Sequence, residues 1–125
     1  FQQLTLIDRH ILKNNIKTKV IKCKTIREKN GVACSTRNLK LNNKELLIAS
    51  NIYKYLFSIK NKIRLNHKFL NLKAIKKNLN TLGVSKIDYI ENIDLKTLRK
   101  TKRFVNRFSL FIAYYIKNIR LIDNI

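Results

Sequence analysis

The sequence predicts helices packed on a small, mostly antiparallel sheet, preceded by a helix and strand that belong to an α/β layer. Three observations carry this. Apolar residues recur at helical spacing over two long central runs. Two β-rich runs follow them and end in a hairpin-like return. The chain opens with a helix-period segment that runs directly into a β-branched one, half of an αβ repeat that cannot close a sheet alone.

Taken in order, Leu4, Ile7, Ile11 and Leu12 mark an amphipathic helix over 3–15. Val20, Ile21 and Cys23 mark a short strand over 18–24, with Cys23 in its core. Residues 25–41 hold Gly31, polar side chains and two arginines without a period, and read as a loop. Asn42 followed by Glu45 is close to a capping box. Leu46, Ala49, Ile52, Tyr53, Leu56, Ile59 and Ile63 then mark a long helix. Phe69, Leu72, Ile75, Leu79 and Leu82 mark another, with Gly83 as its C-terminal cap. Residues 84–90 read as a strand, 94–100 as a short helical turn, and 104–115 as a buried strand. Lys117-Asn118 turns the chain into a returning strand over 119–123, although neither turn residue is Gly.

Composition bounds the function. Lys and Arg number 28 against 7 Asp and Glu, a formal charge of +21. That balance attracts polyanions in general. The charge is spread along the chain, and the dominance of Lys, Asn, Ile, Leu and Phe follows AT-rich codon usage, so it does not single out a nucleic-acid arm. Cys23 and Cys34 make neither a disulfide framework nor a metal spacing, and with no secretory signal they fit a reducing cytoplasm. The run 108–116 is far shorter than the roughly 20 apolar residues of a membrane-spanning helix. His10 and His67 are isolated from acidic partners and read as surface residues. The cluster Arg99, Lys100, Lys102 and Arg103 reads as a solvated turn, and Phe108, Phe111, Tyr114 and Tyr115 as core.

The informative stretch is the loop. Ser35, Thr36 and Arg37 stand in a row after a glycine, and hydroxyls, backbone N–H groups and a guanidinium can together grip a phosphate chain. Alone, that triplet also suits an ordinary solvated loop. In its setting it is similar to the pantothenate synthetase (pantoate–β-alanine ligase) pattern Arg-Glu-x-x-Gly-Leu-Ala-x-Ser-Ser-Arg-Asn-x-x-Leu. This chain has Arg27-Glu28, Gly31-Val32-Ala33, Ser35-Thr36-Arg37-Asn38 and Leu41 in the same register. Phe1-Gln2-Gln3-Leu4 resembles the family's Asp-Phe/Tyr-Gln-Gln-Leu segment, and Arg120-Leu121-Ile122-Asp123-Asn124 its closing Arg-Leu-Ile-Asp-Asn. Three motifs in the right order span nearly the whole chain.

The resemblance implies an ATP-dependent condensation of pantoate with β-alanine through a pantoyl-adenylate, giving pantothenate, AMP and pyrophosphate. It implies that Gln3 hydrogen-bonds pantoate and that the backbone of Ile26 contacts adenine. Cys34, Ser35, Thr36 and Arg37 would hold the ATP phosphates, with Ser35, Thr36 and Arg37 acting in catalysis. No protein metal ligand is implied; Mg²⁺ would arrive with ATP. Cys34 would be a small filler, not a nucleophile. Residues 1–25 would be the last helix and strand of a Rossmann-like N-terminal domain, and 26–125 a C-terminal lid. The chain begins with Phe, not Met, and the family's upstream His-x-Gly-His motif and Gly-Glu-Lys-Asp segment would precede it, so the expectation is a fragment inactive alone. The intact enzyme would be a homodimer acting on small molecules, without nucleic acid or membrane partners. Arg120 and Asp123 would be structural, paired near the hairpin.

Departures from the pattern are Lys24 for the usual Pro, Asn30 for Asp, Val32 for Leu, Thr36 for the second Ser, and Lys117 near a frequent Gly. They give some weight to a competing reading, an inactive remnant. A basic nucleic-acid-binding module is the other competitor, and it leaves the ordered motifs unexplained.

Overall fold

A computed structural model describes residues 2–66, 71–101, 105 and 107–125. Its elements are α1 (Gln2–Lys13), a 3₁₀ helix (Thr36–Lys40), α2 (Asn43–Asn66), α3 (Leu72–Thr81), β1 (Lys86–Asp94), β2 (Phe108–Ile116) and β3 (Ile119–Asn124). The strands form one antiparallel sheet in the order β1-β2-β3. Helices on an antiparallel sheet are what the sequence predicts.

The core lies between the sheet and the two long helices. Ala49, Ile52 and Leu56 of α2 meet Ile112, Tyr114 and Ile116 of β2, with Ile75 and Leu79 of α3, Ile90 of β1 and Leu121 of β3. Alternation along β2 sends these residues to the helical face, while Phe111 and Ala113, also buried, point to the other. A strand buried on both faces reads as a continuous apolar run, as Phe108–Ile116 does.

Local chemistry fixes the boundaries. The capping box closes as expected: the Glu45 N–H donates to Asn42 Oδ1 at 3.0 Å, and the Asn42 N–H donates to Glu45 Oε2 at 2.9 Å. Asn71 caps α3 by accepting from the Ala74 N–H. Gly83 ends α3 at φ +107, where a side chain would crowd Ile48. After Asp94 the chain makes a single turn, with the Leu98 N–H donating to the Asp94 carbonyl and the Asp94 carboxylate accepting from the Lys96 N–H and the Thr97 hydroxyl. Lys117 takes φ +50 in the β2–β3 turn, a backbone position that suits Gly better. Its ammonium reaches back to Glu45 at 2.7 Å, tying the turn to the start of α2.

Several expectations are corrected. Residues 18–24 carry no β structure. A strand needs a neighbour for its N–H and C=O groups, and none of the described strands pairs with this segment. Cys23 is therefore exposed, not core. Ile7 and Leu12 of α1 are exposed too, with Leu6, Ile16 and Ile21. The strand expected over 84–90 runs as Lys86–Asp94, because β2 offers pairing partners as far as Phe108. Arg120 pairs with Asp88 at 2.6 Å, not with Asp123. His10 is exposed, as expected. His67, Phe69, Lys102, Arg103 and Phe104 lie outside the described residues.

Glu45 links the helix start to pH. The bond from Lys117, then that from the Asn42 N–H, holds its carboxyl below the ordinary 4.5. A depressed folded-state pKa adds stability above the ordinary value and loses it as pH falls through the folded one. Melting temperature should therefore fall below pH 4.5, and less steeply in Glu45→Gln. Asn42→Ala should lose about 1 kcal/mol in a denaturant melt; parallel acid profiles or an unchanged midpoint would refute these assignments.

Candidate functional site

The loop expected over 25–41 is a tight hairpin followed by the 3₁₀ helix. The Cys34 N–H donates to the Ile26 carbonyl at 3.0 Å, the Glu28 N–H to the Val32 carbonyl at 2.8 Å, and the Gly31 N–H to the Glu28 carbonyl at 2.8 Å. Asn30 Oδ1 accepts from the Val32 N–H at 3.0 Å, the local bond that favours Asn or Asp just before a turn glycine. Asn therefore replaces Asp here without losing that bond. Gly31 sits at φ +90, and a Cβ there would land inside the Tyr53 ring.

Two side chains pin the hairpin. Ser50 of α2 donates its hydroxyl to the Asn30 carbonyl at 2.8 Å, at the tip. Asn38, buried, donates its amide to the Ala33 carbonyl at 3.0 Å and to Glu28 Oε1 at 3.3 Å, while its Oδ1 is buried with no partner among the described residues. The 3₁₀ helix that carries Asn38 lies against β3.

Arg27 holds the stem. One terminal nitrogen donates to Asp123 Oδ2 at 2.7 Å and to the Gly31 carbonyl at 3.1 Å; the other donates to Asp123 Oδ1 and to the Asn124 carbonyl, both at 3.0 Å. The guanidinium lies 4.4 Å from the Tyr53 ring centroid, a cation–π contact. The pair is largely buried, with 20% and 12% of the side chains exposed. Burial works to lower the Arg27 pKa, and the Asp123 carboxylate more than offsets it, so the net shift is upward. Burial likewise pushes the neighbouring Tyr114 phenol well above its usual range.

On this frame the residues assigned to ATP stand together. Cys34, Ser35, Thr36 and Arg37 are consecutive and exposed. Exposure corrects the view of Cys34 as a packed filler. Ser35 caps the 3₁₀ helix, its Oγ accepting from the Arg37 N–H at 3.2 Å. Arg37 has no carboxylate within ion-pairing distance among the described residues, and with Cys34, Ser35, Asn38 and Asp123 it lines a pocket of about 200 Å³. Ile26 is exposed, and its carbonyl already accepts from Cys34, which among the described residues leaves one lone pair and the N–H without a backbone partner. Gln3 does not join this pocket. It lines a neighbouring cleft of about 410 Å³ with Thr25, Ala33, Tyr89, Phe111 and Asn124. Ala33 and Asp123 border both spaces. Among the described residues no three His, Cys, Asp or Glu side chains converge as a metal site, and no helix is long and apolar enough to cross a membrane.

The family model described as Pantoate-beta-alanine ligase matches residues 1–125, the whole chain. This chain belongs to that family. It is 35% identical to the pantothenate synthetase of Flavobacterium psychrophilum over 100% of this chain and 45% of the relative, and 37% identical to that of Clostridioides difficile over 98% and 44%. The chain thus spans a little under half the length of the curated relatives it matches. The fold agrees with the crystal structure of pantothenate synthetase from Thermus thermophilus, at TM-score 0.83 and 25% identity over 99% of this chain and 45% of that one. It also agrees with pantoate-beta-alanine ligase from Francisella tularensis complexed with beta-gamma ATP and beta-alanine, at TM-score 0.66 and 30% identity over 99% and 39%.

Membership in the ligase family accounts for the order of the motifs, but sequence reasoning missed what joins them. Arg27 and Asp123 each stand in a matched motif, 96 residues apart. No local periodicity points from one to the other. Gly31→Ala should destabilise the protein by more than the ~1 kcal/mol typical of a Gly/Ala exchange, since it adds both strain and a clash with Tyr53. A thermal melt checks this, and wild-type stability would contradict the close approach.

Proposed function

We propose that this chain supplies the phosphate-gripping lid of a pantoate–β-alanine ligase. In that enzyme the pantoate carboxylate attacks the α-phosphorus of ATP, pyrophosphate departs, and the amine of β-alanine then displaces AMP from the pantoyl-adenylate to give pantothenate. One observation carries the reading: Ser35, Thr36 and Arg37 stand exposed side by side on a pinned loop, with Arg37 unpaired among the described residues and beside the pocket.

The physics suits the role. Charge builds on the phosphoryl oxygens as pyrophosphate leaves, and a fixed cation with hydroxyl and N–H donors stabilises it. A planar, permanently charged guanidinium grips two oxygens where an ammonium grips one. Thr36 keeps the hydroxyl of the usual Ser. Cys34 would contact the phosphates through its place in the loop, and Ile26 would meet adenine through its free N–H or remaining lone pair. Gln3 would hold pantoate from the adjoining cleft, and sharing Ala33 and Asp123 between the two spaces keeps both substrates close. Mg²⁺ would ride on the ATP phosphates.

Residues 1–25 would belong to an N-terminal Rossmann-like domain and 26–125 to the lid. The exposed Leu6, Ile7 and Leu12 of α1 support this division, because such side chains gain by being covered.

The test is pantothenate formation from ATP, pantoate and β-alanine by this chain, alone and mixed with the N-terminal part of the Flavobacterium psychrophilum relative. Activity is expected in the mixture. Arg37→Ala should lower its kcat by about 10²–10³-fold, the range for loss of one charge-stabilising donor. An Arg37→Ala mixture as fast as wild type would remove the phosphate role, and a folded but inactive mixture would leave the remnant reading standing.

A further inference from the structure

Arg27 is a cation at the foot of a loop proposed to hold phosphates, yet its terminal nitrogens are already engaged. They bond the Asp123 carboxylate and the Gly31 and Asn124 carbonyls, and one face is stacked on Tyr53. A guanidinium so occupied cannot turn to a phosphate without leaving Asp123 buried and unpaired. Arg37, ten residues on, has no such ties among the described residues.

The geometry points to Arg27 as the positioning residue of the nucleotide loop, setting through Asp123 where Ser35, Thr36 and Arg37 stand. The inference rests on the phosphate role given to those three residues.

The mechanical argument follows from the bonds. The ladder between Ile26 and Cys34 and between Glu28 and Val32 makes the hairpin move as one piece. Ser50 fixes its tip at Asn30. The tip is a pivot, and the end opposite the pivot is Ile26 and Cys34, where Ser35 begins. A small rotation about Asn30 displaces that end most. Arg27 sits at the stem and bonds both the loop, through Gly31, and β3, through Asp123 and Asn124, so it blocks that rotation. Asn38 braces Ala33 and Glu28 to the 3₁₀ helix, which lies against β3, but it does so through single bonds and not a two-pronged one. The bidentate fork matters because a single bond would leave a hinge, whereas two parallel bonds fix an orientation.

Cys34 supplies a probe at the moving end. In a Cys23→Ser background a nitroxide label on Cys34 reports loop mobility; a second label at Ser58→Cys on α2, with both native cysteines replaced, reports global loosening. Arg27→Lys keeps the charge without the fork, and Asp123→Asn keeps one acceptor oxygen. Both are recorded below their melting temperatures, with folding checked by circular dichroism. The expected result is a shift from the slow to the fast spectral component at Cys34 in each variant, with Ser58→Cys unchanged. In the complemented enzyme the same variants should raise KM for ATP, with KM for β-alanine unaffected. An unmoved label at Cys34 in both variants would overturn the inference, and so would equal loosening at the two positions. The phosphate role fails separately, if Arg37→Ala leaves the kinetics with ATP at wild-type values while the Cys34 label still responds to Asp123→Asn.

Discussion

The fold depends on one strand being apolar on both sides. β2 bonds β1 along one edge and β3 along the other, and it sends Ile112, Tyr114 and Ile116 into α2. Each such side chain contributes roughly 1.5–3 kcal/mol when fully buried, and every other element of the sheet layer is held through this strand. The rule that a two-sided strand carries no exposed polar face explains why the basic residues, so abundant elsewhere, are missing from Phe108–Ile116.

The same strand sets the platform for the loop. β3 is held in register by β2, with Asp123 opposite Ile112 and Leu121 opposite Tyr114. That register brings Asp123 to the helical face, where Arg27 meets it over the Tyr53 ring. A one-residue slip would turn Asp123 to the other face and empty the contact. The loop's conformation is therefore a consequence of β-sheet register as much as of its own sequence.

How much of this is legible in the sequence depends on the range of the interaction. The Asn42–Glu45 box, the Gly83 cap and the period of α2 are decided within a few residues, and all three are present as read. The strand read over 18–24 is absent, because β-branched residues state a tendency that only a neighbour can fulfil. The extension of β1 to Asp94 is the converse case, set by the partner's length. In the site, the run Ser35-Thr36-Arg37 is visible through its motif. The Arg27–Asp123 contact is not, since its halves are far apart in the chain, and the exposure of Cys23 and Cys34 depends on what packs nearby. Lys117 was legible as an anomaly, and the structure gives it content: a side chain at positive φ, compensated by a bond to Glu45.

The span of the Arg27–Asp123 contact also sets an order of events in time. During synthesis the N-terminal side of a domain leaves the ribosome first. The hairpin over 26–34 can form its own ladder at once, since every bond in it is local. Its anchor cannot form until β3 has been made and zipped onto β2, 96 residues later. Closing so long a loop is entropically unfavourable by itself and becomes favourable only after the intervening sheet has done the closing. A chain interrupted before β3 would keep every residue of the loop and the bond from Ser50 at its tip, and lack the clamp at its stem. The loop is translated well before β3 and is finished only after it.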